Sequence, residues 1–242
     1  MSGAAGHGES PLVLALDTGD LGQALAWSRA AGEAAGMAKV GLELFAAEGP
    51  AAVRALAGEG RRVMLDLKLH DIPATVAGAV RAAERAGAEL VTVHALGGPA
   101  MLAAAAGAAG RCRVAAVTVL TSAGPDALAA AGLPPAAETV PRLAELAVAS
   151  GCQALVCSPL EAAALRSLLG PDVELVCPGV RPAPDGTGAT RAEADDQARV
   201  ATPAAAMRAG ASRIVVGRPI TRAPDVGAAA RAVRDEAMAA AP

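Results

Sequence analysis

Short apolar runs rich in valine and leucine recur along the chain at intervals of roughly 20–35 residues. Most runs are continuously apolar, which is typical of parallel strands that are buried on both faces. Because glycine, proline or polar residues bound them, they predict eight strands, at 12–17, 37–41, 62–69, 90–95, 113–121, 154–158, 174–180 and 213–217.

The stretches between these strands are rich in alanine and carry apolar residues at helical spacing. Residues 139–150 place Val140, Leu143 and Leu146 on one face, and residues 224–239 repeat the pattern. Residues that favour a first helical turn mark several starts, namely Asp20, Pro50, Pro73, Pro99 and Pro203. Glycines that favour a helix end precede several strands, namely Gly60, Gly87, Gly110, Gly151 and Gly210.

Eight strand–helix units in about 230 residues predict an α/β protein with a (β/α)8 TIM-barrel fold. We expect a single domain over residues 11–242, preceded by a disordered N-terminal tail over residues 1–10. A doubly wound open sheet is the main alternative, but no GxGxxG motif follows the first strand. Two long connections, 123–138 and 181–201, follow strands five and seven and are expected to act as lids.

Composition excludes several classes of protein. The 242 residues are 53% hydrophobic and 1% aromatic, with a net charge of −3, which argues against a disordered chain and against a nucleic-acid partner. No apolar stretch reaches the ~18 residues of a membrane span, and the first residues do not resemble a signal peptide. We therefore expect no membrane association and a cytoplasmic location. The four cysteines lack metal-ligand spacing and are expected to be free thiols.

Polar side chains interrupt the apolar strands mainly at their C-terminal ends, the face that carries the active site in (β/α)8 barrels. Asp66 and Lys68 lie two residues apart in strand three, so they are expected to point to the same side. Lys39 and Asp71 would extend this pair into an alternating Lys–Asp–Lys–Asp array. The alternatives are an ion-pair cluster that only ties the strands together and, for Asp71, the N-cap of the helix that starts at Pro73.

Two segments after strands seven and eight have the composition of a phosphate site. Residues 178–181 (PGVR) and 216–221 (VGRPIT) combine glycine, which lets the backbone approach a ligand, with arginine, which binds phosphate bidentately. Loops at these two positions often bind phosphate in such barrels. The alternative is a pair of ordinary turns with solvated arginines. His70 and His94 are equally compatible with structural roles, and no spacing of residues predicts a metal site.

Residues 66–75, DLKLHDIPAT, resemble the DxKxxDIPxT signature of the orotidine 5′-phosphate decarboxylase family. Further blocks match in the family's order, at 14–17 (LALD), 39–41 (KVG), 117–122 (VTVLTS), 178–181 (PGVR), 196–197 (DQ) and 217–221 (GRPIT). The resemblance covers residues 11–235, although the segment between Arg181 and Gln197 is several residues longer than the family pattern. It implies a homodimer of (β/α)8 barrels, with active sites at the interface, that acts on a nucleotide without metal or cofactor.

The resemblance also implies a role for each matching residue in converting orotidine 5′-phosphate to UMP. Lys68 would protonate C6 of the pyrimidine, and Asp66 would lie against the substrate carboxylate. Lys39 and Asp71 would complete the alternating array, with Asp71 and Thr75 reaching the partner's site. The remaining implied contacts are Asp17 and Lys39 with the ribose, Thr121 and Ser122 with the base, Gln197 with base and phosphate, and Arg181, Gly217 and Arg218 with the phosphate.

Three other functions share part of this pattern. Sugar-phosphate decarboxylases similar to 3-keto-gulonate-6-phosphate decarboxylase share the DxKxxD core but use Mg²⁺, and the LTS, PGVR and DIPxT segments argue against them. Phosphate-binding isomerases of tryptophan or histidine biosynthesis have no need for two Lys–Asp pairs. An inactive nucleotide-binding barrel is disfavoured by the intact array. Because Trp27 and Phe45 are the only large aromatics, we expect a pyrimidine to be bound through its polar edges.

Overall fold

The computed structural model of the chain describes residues 9–182 and 201–241. Eight parallel strands pair in sequence order, and the last strand pairs with the first to close a barrel. The strands are β1 (Leu12–Ala15), β2 (Met37–Val40), β3 (Val63–Leu69), β4 (Leu90–His94), β5 (Arg113–Val117), β6 (Ala154–Val156), β7 (Glu174–Cys177) and β8 (Arg213–Val216). This closure confirms the (β/α)8 prediction and excludes the open sheet.

Helices cover the outside of the barrel. They are α1 (Leu21–Ala31), α2 (Leu42–Glu48), α3 (Pro50–Gly58), α4 (Pro73–Ala86), α5 (Gly98–Ala108), α6 (Pro125–Ala130), α7 (Ala136–Ala149), α8 (Pro159–Leu169), α9 (Pro203–Arg208), α10 (Arg218–Thr221) and α11 (Val226–Met238), with 3₁₀ turns at Gly32–Ala34 and Ala95–Gly97. In the described part of the chain, no helix is both long and apolar enough to span a membrane.

Local sequence explains where several helices begin and end. Asp20 caps α1 by accepting a hydrogen bond from the N–H of Gln23 at 2.9 Å, as its residue type predicts. The prolines predicted at helix starts all lie in a first turn. Gly87 ends α4 in the left-handed conformation, with φ of +101°, that glycine adopts without steric cost. Gly110 lies two residues beyond the end of α5 at Ala108, and it does not adopt a positive φ.

Two hydrophobic clusters form the core. The larger one lies between the strands and the surrounding helices. The smaller one contains only strand residues and fills the barrel interior, with Val13, Met37, Met64, Leu90 and Val215 among its members. Both are built mainly from alanine, valine and leucine, so the closed interior is packed rather than open.

The predicted connections and tail differ from the structure in detail. The connection 123–138 contains helix α6 and the start of α7. Most of the connection 181–201 lies outside the described residues. Glu9 and Ser10 fall within the predicted tail, yet Ser10 is buried and its hydroxyl donates to the carbonyl of Ala34 at 2.6 Å. Residues 1–8 also lie outside the described residues.

A closed ring of six charged side chains covers the N-terminal end of the barrel. Glutamate and arginine alternate around it, and each side chain forms an ion pair with both neighbours, in the order Glu9, Arg62, Glu89, Arg113, Glu174 and Arg213. We call this set the floor ring. Its members precede or begin six of the eight strands, so it joins strand starts that are distant in sequence.

Candidate active site

Polar and charged side chains replace apolar ones in the barrel interior near the C-terminal ends of the strands. Interior apolar residues on β2, β3 and β4 are each followed, two positions later, by a polar residue on the same side of the strand. The three pairs are Met37 and Lys39, Met64 and Asp66, and Leu90 and Thr92. The same strands that pack the core therefore bring these polar groups together at the barrel mouth.

Four charged side chains form an alternating ion-pair chain at this mouth. Lys39 Nζ lies 3.0 Å from Asp17 Oδ1 and 3.6 Å from Asp66 Oδ2. Lys68 Nζ donates a hydrogen bond to Asp66 Oδ1 at 2.9 Å. The order is Asp17–Lys39–Asp66–Lys68, which we call the ion-pair chain, and it holds the Asp66 carboxylate between two ammonium groups.

Exposure to solvent differs along the ion-pair chain. The side chains of Lys39 and Asp66 are 10% and 14% exposed, whereas that of Lys68 is 31% exposed. Burial alone would raise the pKa of Asp66, but attraction to Lys39 and Lys68 and hydrogen bonds from Lys68 and Thr92 outweigh it and lower that pKa. Asp66 is thus a fixed anion, and the Lys68 ammonium is the member of the pair that reaches the open mouth.

Lys68 has a strained backbone. Its φ is +51°, and no other non-glycine residue among those described has a positive φ. The β3–β4 register shifts between Leu65 and Leu69, where β3 advances by four residues while β4 advances by two, and we call this irregularity the bulge. Such a conformation costs a non-glycine residue about 1–3 kcal/mol and is concentrated at functional sites. Asp66 and Lys68 therefore meet, as expected, but through a bulge rather than through regular strand alternation.

Two glycines leave space beside the ion-pair chain. A Cβ at Gly41 would lie 2.9 Å from Lys39 Nζ and 3.1 Å from Asp17 Oδ1. A Cβ at Gly217 would lie 3.2 Å from the Cβ of Ala15 and 3.5 Å from Asp17 Oδ2. The loop after β8, predicted to bind phosphate, therefore lies directly against Asp17, which was predicted to bind ribose.

Asp71 and Thr75 are exposed, and within the described chain no ion pair joins Asp71 to Lys68 or Lys39. The Asp71 carboxylate accepts a hydrogen bond from the N–H of Ile72 at 2.6 Å. Ile72 itself is the N-cap of α4, and no side chain caps that helix. The alternative prediction that Asp71 is an N-cap is therefore wrong, because α4 begins at Pro73 and its N-cap position is Ile72.

An exposed apolar groove borders the mouth beside Asp71. Ile72 is 66% exposed and Leu96 is 42% exposed, and both line the groove together with His70. The His70 and His94 rings stack with their centroids 5.6 Å apart, and His94 Nδ1 accepts a hydrogen bond from the N–H of Leu96. Burial, with smaller contributions from the charges of His70 and Lys68, lowers the pKa of His94. The histidine stack thus joins the segment after Lys68 to the end of β4.

Four other predicted ligands, Thr121, Ser122, Arg181 and Arg218, follow strands at this same end of the barrel. Thr121 and Ser122 form a turn after β5. Arg181 follows β7, and its backbone N–H donates to the carbonyl of Ala201 at 2.9 Å. Arg218 begins α10 directly after β8. Because β7 and β8 are paired, both arginines leave neighbouring strands at one end of the barrel. Gln197 lies outside the described residues.

Thr92 belongs to the site but was not predicted. It is fully buried on β4, where its hydroxyl accepts from the N–H of Lys68 at 2.8 Å and donates to Asp66 Oδ1 at 3.0 Å. The available signal was a hydroxyl in the otherwise apolar run LVTV. Lysine usage was a second overlooked signal, because Lys39 and Lys68 are the only lysines in the sequence, and apart from three histidines every other basic residue is arginine.

Metal-ligand clusters and reactive thiols are not features of the described site. Within residues 9–182 and 201–241, no group of three or more His, Cys, Asp or Glu side chains could hold a metal ion. All four cysteines are buried free thiols, as predicted. Burial raises the pKa of Cys152 to about 11, and burial and the nearby Glu84 raise that of Cys112 to about 11.

Comparison with known proteins agrees with this geometry. The profile of the orotidine 5′-phosphate decarboxylase / HUMPS family matches residues 10–233. A protein named orotidine 5′-phosphate decarboxylase from Anaeromyxobacter sp. (strain K) is 59% identical over 92% of this chain and 96% of its own. A protein of the same name from Thermobifida fusca is 53% identical over 94% of this chain and 95% of its own. The crystal structure of the Lactobacillus acidophilus enzyme of that name superposes with a TM-score of 0.80 at 36% identity, covering 94% of this chain and 99% of the other. The chain therefore belongs to the orotidine 5′-phosphate decarboxylase / HUMPS family.

Proposed function

We propose that this enzyme converts orotidine 5′-phosphate to UMP and CO2 at the C-terminal mouth of its barrel, without a metal or cofactor. The observation that carries the proposal is the Lys68 ammonium, held 2.9 Å from the buried Asp66 carboxylate at the end of the ion-pair chain. The relatives described above, which bear the name of this activity, support the choice of substrate over a sugar phosphate.

The chemistry requires a cation at one carbon atom. When the bond between C6 and the carboxylate breaks, its electron pair stays on C6, which has no adjacent group to accept it. The Lys68 ammonium stabilises this charge as it develops and then donates a proton to C6, giving UMP. Because Asp66 and the strained backbone fix the ammonium beforehand, little reorganisation is needed during the reaction. We further propose that the fixed Asp66 anion repels the substrate carboxylate before CO2 leaves.

The rest of the nucleotide would be bound around this centre. We propose that Asp17 and Lys39 bind the ribose hydroxyls and that Thr121 and Ser122 bind the polar edge of the base. The phosphate would be bound by Arg181, Gly217 and Arg218, and Gln197 would bridge base and phosphate. The closeness of Gly217 to Asp17, where an added Cβ would lie 3.5 Å from the Asp17 carboxylate, supports this arrangement, because ribose and phosphate are adjacent in the substrate. Binding energy from the phosphate can then favour the reacting geometry.

A homodimer would complete each site. We propose that Asp71 and Thr75 reach the ion-pair chain of the second subunit, so that Asp71 of the partner subunit extends the alternation beyond Lys68. The exposed Ile72 and Leu96 support this proposal, because exposed apolar residues beside a polar site are typical of a surface that another chain covers.

The first prediction concerns activity and metal dependence. Purified enzyme should decrease the ultraviolet absorbance of orotidine 5′-phosphate with formation of UMP, equally well in EDTA and in added Mg²⁺. Lys68→Ala should lower kcat by about 10³-fold or more, because the variant loses both the proposed cation and the proposed proton donor at C6. Arg142→Ala, on the exposed face of α7, is the matched loss of a cation and should leave kcat unchanged.

Two outcomes would contradict this proposal. Near-native turnover by Lys68→Ala would show that Lys68 is not the proton donor. Activity that EDTA abolishes and Mg²⁺ restores, with 3-keto-gulonate 6-phosphate as the better substrate, would favour the sugar-phosphate decarboxylases.

The second prediction tests the shared site. Lys68→Ala and Asp71→Ala homodimers should both be nearly inactive, but a mixed dimer contains one site with both residues intact. Random mixing should therefore restore about a quarter of wild-type activity. As a control, wild type mixed with the double variant forms mixed dimers in which neither site is intact, so they add no activity. No recovery in tagged, verified mixed dimers would rule out the shared site.

A further inference from the structure

The Thr92 hydroxyl links the two reacting elements of the site. It is fully buried on β4, accepts a hydrogen bond from the Lys68 backbone N–H at 2.8 Å and donates one to Asp66 Oδ1 at 3.0 Å. We propose that Thr92 is a positioning residue, which fixes the Lys68 ammonium relative to Asp66 by holding the strained Lys68 backbone in place. This inference rests on the proposed function of Lys68.

The bulge in β3 creates the need for such a group. Between Leu65 and Leu69 the β3–β4 ladder is interrupted, so the Lys68 N–H has lost its regular backbone acceptor on β4. A buried N–H without an acceptor is costly, and a left-handed lysine is strained in addition. The Thr92 side chain supplies the missing acceptor and so stabilises a backbone conformation that lysine would otherwise leave.

The same hydroxyl constrains Asp66. A hydroxyl has one proton, and here it is directed to Asp66 Oδ1, the oxygen that also accepts from Lys68 Nζ. Thr92 therefore sets the distance between the Lys68 backbone and the Asp66 carboxylate, and the Lys68 side chain closes a small ring between the two. Removal of the hydroxyl would release the Asp66 carboxylate and the Lys68 backbone from this constraint, without changing the charge of the Asp66–Lys68 ion pair.

Loss of the Thr92 hydroxyl should slow the chemical step and leave substrate binding largely unchanged. Substrate binding would depend mainly on the phosphate and ribose contacts, which lie on other strands. A displacement of about 1 Å at a reacting group can cost about 10²-fold in rate. Loss of the hydroxyl should therefore lower kcat with little change in KM, whereas a merely structural defect would lower the amount of folded enzyme instead.

The third prediction compares two substitutions at Thr92. Thr92→Val, which has the same shape without the hydroxyl, should lower kcat for orotidine 5′-phosphate by about 10²-fold, with KM changed less than about threefold. Thr92→Ser, which keeps the hydroxyl, should restore kcat to within about tenfold of wild type. Thr118→Val is the matched control, because Thr118 is also fully buried and its hydroxyl bonds to the carbonyl of Val156, away from the ion-pair chain.

A spectroscopic measurement separates this proposal from the proposed function. Backbone ¹⁵N labelling of lysine should give one amide resonance each for Lys39 and Lys68, because there are no other lysines. Thr92→Val should shift the Lys68 amide resonance and accelerate its hydrogen exchange, with a smaller change at the Lys39 amide. Thr118→Val should shift neither amide resonance. The Lys68 resonance is identified by its absence in Lys68→Ala.

Each outcome decides one of the two claims. An unmoved Lys68 amide in Thr92→Val, or wild-type kcat in that variant, would overturn the positioning role even if the wild type decarboxylates its substrate. A Thr92→Ser enzyme as slow as Thr92→Val would do the same, because the hydroxyl would then not be the cause. If Thr92→Val shifts the Lys68 amide resonance but the wild type does not decarboxylate orotidine 5′-phosphate, the hydrogen bond from Lys68 to Thr92 is supported and the proposed function is rejected.

Discussion

At the scale of the residue, the chain separates its two kinds of cation by chemistry. Lysine occurs only at positions 39 and 68, in the ion-pair chain, and apart from three histidines arginine supplies every other basic side chain. Arginine binds carboxylates and carbonyls in fixed geometry, as Arg166 does with the carbonyls of Gly170, Val173 and Gly210. It does not give up its proton, whereas an ammonium does. A lysine at position 68 therefore suits the proposed role of a cation that also donates a proton.

The fourth prediction uses this scarcity. A lysine-selective acylating reagent should inactivate the enzyme by reaction at Lys68, with slower reaction at Lys39, because the Lys68 side chain is 31% exposed and that of Lys39 is 10% exposed. The buried thiols of Cys112 and Cys152 should not compete, since the pKa of each is raised to about 11. Peptide mass spectrometry locates the modified residues and the decarboxylation assay measures the remaining activity.

Protection by the product is the control for this experiment. UMP bound at the barrel mouth should slow both the acylation of Lys68 and the loss of activity by the same factor, while acylation of the N-terminal amine continues. Full modification of Lys68 without loss of activity would contradict the proposed role.

At the scale of the element, apolar patterning was sufficient for the number and order of the strands but not for their ends. The predicted strand 113–121 ends at Val117, and the predicted strand 12–17 ends at Ala15. In both, one further backbone hydrogen bond continues to the neighbouring strand, from Leu16 to the carbonyl of Lys39 and from Thr118 to the carbonyl of Val156, and the residues after it form the rim. Composition cannot locate this departure, because it depends on where the neighbouring strand stops pairing.

Strand β3 shows most clearly which features of the site could not be predicted from the sequence. The expected meeting of Asp66 and Lys68 is observed, but it occurs through the bulge and not through the regular alternation on which the prediction relied. The pairing of Asp66 with Lys39 follows from adjacent parallel strands. The bulge could not be predicted, because a positive φ is usually indicated by glycine and here falls on lysine. Thr92 was missed for the same reason, since its hydroxyl has a function only once the bulge removes a backbone acceptor from Lys68.

At the scale of the whole molecule, the barrel places charge at both ends and apolar side chains between them. The mouth carries the ion-pair chain, and the opposite end carries the floor ring. Because active sites in these barrels lie at the C-terminal face, ionic residues at the N-terminal face contribute to stability rather than to chemistry. The two sets should therefore respond to different experiments.

The fifth prediction is that acid weakens the floor ring. A hydrogen bond from Arg62 is the main cause that lowers the pKa of Glu89, against burial that raises it. Since that pKa is lower in the folded than in the unfolded state, its stabilisation is complete above the ordinary value of 4.5 and is lost as the pH falls through the lowered value. At pH 7, Glu89→Gln should decrease the free energy of unfolding by about 1–2 kcal/mol.

Urea unfolding as a function of pH provides the measurement. The difference between wild type and Glu89→Gln should shrink as the pH falls below 4.5, while kcat at pH 7 stays at the wild-type value. Glu145→Gln, an exposed carboxylate on α7, is the matched control and should have a much smaller effect on stability. A difference in unfolding free energy that is independent of pH would show that the charge of Glu89 is not the stabilising feature.

The floor ring also divides the barrel in an informative way. The half that contains β1–β4 contributes two glutamates and one arginine to it, and the half that contains β5–β8 contributes two arginines and one glutamate. The seams between the halves, β4 with β5 and β8 with β1, are crossed by the pairs Glu89–Arg113 and Arg213–Glu9, each with a closest distance of 3.6 Å. Two separately produced half-barrels would thus present opposite excess charge at their broken edges, so their electrostatic attraction favours the correct reassembly over pairing of identical halves.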